Sequence, residues 1–153
     1  MKITATPLFL LALIMISCQG NDRQTGGDPQ NDIDAARDFI RAALDGNFKK
    51  ARTYMLQDSL AQERMNAVER LYTEKQPNEE KAGLAKSSIN IHNVTTVNDS
   101  TTVLIYSNSF KNNKDTLKVV KIQGKWLVDF NYLFDHDSDT LNAFAKPSEP
   151  LAQ

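Results

Sequence analysis

The periodicity of the chain changes once, near its middle, and that change constrains the fold more than any compositional figure. Between residues 32 and 76 apolar side chains return every three to four positions, whereas between 84 and 134 they alternate or run together in stretches rich in Val, Ile, Thr and aromatic residues. A helix-period block followed by a strand-period block predicts an α+β domain with its helices gathered against an antiparallel sheet.

Ile33, Ala36, Ile40 and Leu44 form one stripe, widened by Phe39 and Ala43, and Gly46 is placed to end it. A first helix over 32–45 follows, capped by Asn31 or Asp32. Asn47 caps a short second helix with Phe48, Ala51 and Tyr54 or Met55 on its packed side. A third opens at Asp58 or Ser59, with Ser59 and Gln62 at capping-box spacing, carries Leu60, Val68, Leu71 and Tyr72, and stops at Gln76-Pro77-Asn78.

Four strands are expected, over 84–97, 101–110, 116–123 and 125–134, and links this short force an antiparallel meander. In the last strand Trp126, Val128, Phe130, Tyr132 and Phe134 are expected on one face, with Leu127, Asp129, Asn131 and Leu133 on the other. The two middle strands are apolar on both sides. Their second face therefore needs cover, from wrapping helices, the C-terminal tail, strong curvature or another subunit.

Cys18 is the only cysteine. No intrachain disulfide can brace the fold, so stability rests on an apolar core, and about a hundred residues suffice for one such core. Basic and acidic residues number 18 and 19 and are interspersed, which argues against a nucleic-acid surface.

The N-terminal apolar run, Leu8 to Ile16 behind Lys2, is too short to cross a bilayer and sits where an export signal sits. Its end, Met15-Ile16-Ser17-Cys18, resembles a bacterial lipobox, in which the cysteine is acylated and becomes the first residue of the mature chain. That resemblance implies a signal peptide over 1–17, a polar tether over 18–31, a domain over 32–134 and a polar C-terminal tail over 135–153. Acylation at Cys18 makes membrane lipid a partner, since two or three acyl chains hold a protein stably where one does not. The expected place is the bacterial cell envelope, lipid-anchored at the outer membrane, with the periplasmic or surface side left open.

Ala36, Phe39, Ala43 and Leu44, then Gly46-Asn47-Phe48-Lys49-Lys50-Ala51 with Tyr54, and later Val119-Val120-Lys121 and Gly124-Lys125-Trp126-Leu127-Val128, carry a second resemblance. Together they are similar to small envelope lipoproteins of Bacteroidetes-type bacteria with a nuclear-transport-factor-2-like domain. The resemblance covers about residues 32 to 134. It implies three N-terminal helices packed on a curved, four-stranded antiparallel meander sheet in a cone-like shape, with a groove between helices and sheet. Members of that superfamily use the groove for isomerisation, dehydration, small-molecule binding or protein contacts, and fold alone does not choose among these.

An isomerase-like or dehydratase-like reading needs a carboxylate base and a hydroxyl donor in an apolar cavity. Asp129 with Tyr54 or Tyr106 is the best assignment, although Asp129 alternates away from the aromatic stripe. Groove candidates are Phe39, Tyr54, Trp126, Phe130 and Tyr132, equally readable as core. His92 reads as exposed. His136 between Asp135 and Asp137 has ligand chemistry but no calcium-loop pattern, so neither a metal nor a cofactor is expected.

Ser59, Ser100, Thr116 and Thr140 each follow an Asp in a pattern resembling Bacteroidetes O-glycosylation acceptors, and the same residues read equally as caps and turns. The balance favours a non-enzymatic domain that holds a small apolar ligand or an envelope protein. The resemblance also implies a homodimer through the outer sheet face, and an enzyme or a filled-groove interaction module is the alternative.

Overall fold

Helix caps set the first third of the chain. In the computed structural model, which describes residues 29–136, the Asp34 N–H donates to Asn31 Oδ1 at 2.8 Å and opens α1 (Asp32–Leu44). At its end Gly46 takes φ +70, and a Cβ there would lie 2.7 Å from the Tyr72 ring, so glycine is required both by the left-handed turn and by the close approach. Asn47 then caps α2 (Phe48–Thr53) by accepting from the Lys50 N–H at 3.1 Å. Asp58 caps α3 (Ser59–Glu74) by accepting from the Ala61 N–H at 2.8 Å.

The Asp58 cap links stability to pH. The Ala61 N–H, and next the Asn131 amide, hold its carboxyl below the ordinary value of 3.8. A depressed pKa in the folded state means that the stabilisation is present above pH 3.8 and is lost as pH falls through the folded value. Asp58→Ala is expected to cost about 1 kcal/mol at pH 7 and clearly less at pH 2. Urea unfolding midpoints at both pH values check this, and an equal penalty at the two would show that the carboxylate charge is irrelevant.

A fourth helix stands where the sequence pattern suggested the approach to a strand. α4 (Asn78–Lys86) follows Pro77, has Glu79 and Glu80 in its first turn and Lys86 in its last, and buries only Leu84. Arg41 of α1 holds its end by donating to the carbonyls of Leu84, Ala85 and Ser87 at 3.3, 3.3 and 3.0 Å. The first strand therefore begins at Ile89, five residues later than the pattern suggested. The helix wins because charges at both ends complement its dipole and the distant guanidinium satisfies its last carbonyls.

The sheet is a four-stranded antiparallel meander in the order β1 (Ile89–Asn98), β2 (Thr101–Asn108), β3 (Asp115–Ile122) and β4 (Lys125–Asp129). Leu104 opposite Leu117, and Val119 between Thr102 and Val128, are fully buried and face the helices. The outer edge of β4 is covered. Its Val128 N–H donates to the Tyr54 carbonyl at 2.8 Å, and the Leu56 N–H donates to the Val128 carbonyl at 2.9 Å.

The last strand is shorter than expected, and the difference corrects the alternating stripe. After Asp129 the chain turns into α5 (Phe130–His136), where the Tyr132 N–H donates to Asp129 Oδ1 at 3.4 Å. Phe130 and Phe134 meet edge to face at 5.0 Å between centroids, and Phe130 also reaches Phe39 of α1 at 5.6 Å. A spacing of four fits both a two-residue and a 3.6-residue period, so the aromatic stripe did not discriminate strand from helix. The helix runs through His136, and Asp135 within it pairs with Arg64 at 3.2 Å. The expected signal segment, Cys18 and residues 137–153, with Thr140, lie outside the described residues.

Candidate functional site

Between the helices and the inner sheet face lies an apolar groove walled by Phe39, Phe48, Met65 and Val68 and closed by Phe130 and Leu133 of α5. Its free volume is about 40 Å³. A water needs about 10–15 Å³ of such space and small-molecule pockets run from about 300 Å³ upward, so the groove has room for a few waters at most. α5 is the reason: had 130–134 continued as a strand, Phe130 and Leu133 would not share one helical face against α1.

One wall is polar. Tyr106 and Asp115 are register partners on β2 and β3, both buried, and Asn108 beside them accepts from the N–H groups of Phe110 and Lys111 at 3.1 and 2.8 Å. Asp115 stands one residue before the strand expected over 116–123 and is the first residue of β3. Its spacing of two from Leu117 and four from Val119 was the available sign that it points inward.

Of the groove candidates, Phe39 and Phe130 line this space. Tyr54 and Trp126 instead line a separate cleft of about 120 Å³ with Pro29, Thr53, Gly124, Lys125 and Leu127. Tyr132 stacks on His136 at 3.8 Å and receives the Lys118 ammonium 5.2 Å from its ring centre. Asp129 lies on the face opposite Tyr106, bound to Lys118 at 2.9 Å.

His92 is exposed, with Nε2 2.8 Å from Ser107 Oγ, and among the described residues no three His, Cys, Asp or Glu side chains converge as metal ligands. Ser59 and Ser100 are exposed, the latter donating through its N–H and hydroxyl to Asn98 Oδ1, while Thr116 is half-buried within the β3 ladder opposite Ile105.

The outer sheet face carries Val103, Ile105, Val120 and Leu127, all half-buried, around the Lys118–Asp129 pair. Among the described residues no helix is long and apolar enough to cross a membrane. No family model matches the chain, and no curated protein and no solved structure matches it.

Proposed function

We propose that the protein is an envelope lipoprotein, anchored by acylation of Cys18, whose body works through protein contact and not through catalysis or ligand carriage. On this reading the body is a cone-shaped, nuclear-transport-factor-2-like domain, with the N-terminal helices over the concave sheet face. The observation that carries the interaction role is the groove's volume of about 40 Å³, well below what a ligand needs.

The contact surface is the outer sheet face, and its partner is a second copy of the chain. Val103, Ile105, Val120 and Leu127 supply apolar area, and the charges of Lys118 and Asp129 cancel within each copy. A two-fold contact there sets no unbalanced like charges against each other. A buried Val or Leu is worth about 1.5–3 kcal/mol, so Val103→Lys with Leu127→Lys is expected to weaken the dimer by at least about a hundredfold. Sedimentation equilibrium in mild detergent tests this. A wild-type monomer would sink the dimer, and a small molecule released on denaturation in stoichiometric amount would sink the filled groove.

One observation favours the enzyme reading: the buried Tyr106–Asp115 pair joins a hydroxyl and a carboxylate on one wall of the groove. Against it stands the volume, which leaves no space for a substrate of isomerase or dehydratase size.

A further inference from the structure

Two segments without an acidic residue meet at the cleft that Pro29 enters. Residues 46–57 contain Lys49, Lys50 and Arg52, and residues 116–128 contain Lys118, Lys121 and Lys125, in a chain whose acidic residues outnumber its basic ones by 19 to 18. Lys49, Lys50, Lys121 and Lys125 are exposed, and Arg52 and Lys118 pair with Glu69 and Asp129.

The second segment folds as the β3–β4 hairpin, turning through Gln123 at φ 49 and Gly124 at φ 81, a two-residue turn with both central residues left-handed. Its tip carries Ile122, 48 % exposed, with Lys125 on one face and the half-buried Trp126 with Lys121 on the other, the Lys121 ammonium lying 5.4 Å from the indole centre. Thr53 and Tyr54, at the end of α2, form the other wall of the same cleft.

We infer that the β3–β4 hairpin tip and α2 form a docking surface for an anionic lipid bilayer. Tryptophan and an aliphatic residue flanked by lysines is the composition that settles at a headgroup layer, with the rings at the interface and the ammonium groups on lipid phosphates. An acidic protein partner would account for the lysines, but it gives no reason for the entry of Pro29 at the same place.

The inference rests on the proposed anchor at Cys18. Ten residues separate Cys18 from Pro29, a reach of at most about 40 Å, so an acylated Cys18 keeps this end of the body next to the membrane. Each lysine near an anionic surface then strengthens the contact about fivefold, acting within one tethered molecule and needing no high affinity of its own.

Trp126 is the only tryptophan, so its fluorescence reports this surface alone. The protein purified from membranes is reconstituted onto vesicles of phosphatidylglycerol and phosphatidylethanolamine, and in parallel onto phosphatidylcholine, and flotation is measured together with quenching by acrylamide, a neutral quencher that the surface charge does not repel. The expected result is flotation on both, with quenching of Trp126 falling at least threefold on the anionic vesicles alone and recovering in 0.5 M salt. Lys121→Glu with Lys125→Glu, both on the exposed hairpin, is expected to abolish the protection while flotation persists.

Flotation without protection of Trp126, or equal and salt-independent protection on both vesicle types, would overturn the docking surface and leave the anchor standing. Failure to float on either would overturn the anchor and the docking surface together.

Discussion

Phe39→Ala is expected to lower the stability of the domain by about 3–5 kcal/mol, the range for removing a buried phenyl ring. Phe39 is 3 % exposed, contacts Phe130 and forms part of the groove wall, so one substitution removes both a core anchor and a side of the groove. A domain of this size has a net stability of about 5–15 kcal/mol, and the loss would show as a large fall in the urea midpoint. The same change adds the volume of the ring to the existing 40 Å³, toward the about 150 Å³ at which an apolar cavity takes up benzene. Toluene is therefore expected to raise the melting temperature of Phe39→Ala and leave the wild type unmoved. A wild type that toluene stabilises as strongly would show that the groove is already open.

The elements that the sequence made legible are those whose local chemistry is unambiguous. Asn31, Gly46, Asn47 and Asp58 mark helix ends by side-chain acceptors and by a left-handed turn, which depend on a few neighbouring residues and on no distant contact. The short links after Asn98 and at Gln123-Gly124 likewise dictated the meander. α4 was less legible because its apolar signal is a single buried residue, Leu84, and its end depends on Arg41, more than forty positions away. α5 was illegible for a different reason: 130 and 134 fall on one face under either period, and only packing against Phe39 decides between them.

The site followed the same division. Phe39 was recognisable as part of the groove because the α1 stripe fixes its face. Trp126 was recognisable as a prominent residue, but its neighbours Pro29, Thr53 and Tyr54 come from separate segments that only the folded chain brings together. Asp115 was hidden by its position, since an Asp at a turn is ordinarily solvated, and its burial depends on the β2 register that sets it opposite Tyr106.

On the proposed anchoring, Cys18→Ser behind a cleavable secretory signal moves the protein from the membrane to the soluble fraction. Each buried methylene contributes about 0.8 kcal/mol, and a single chain of myristoyl length binds only marginally. Loss of all chains is therefore expected to change the membrane-to-soluble ratio by on the order of a hundredfold or more. What remains is the attraction of Lys121, Lys125 and Trp126, which is weak and screened at physiological salt. Residual binding of Cys18→Ser is thus expected at low ionic strength only, and the further changes Lys121→Glu and Lys125→Glu are expected to remove it. Intact mass supplies the independent check, since the wild type should lack residues 1–17 and carry added acyl groups. An unmodified thiol on a protein recovered free of membranes would end the anchoring reading.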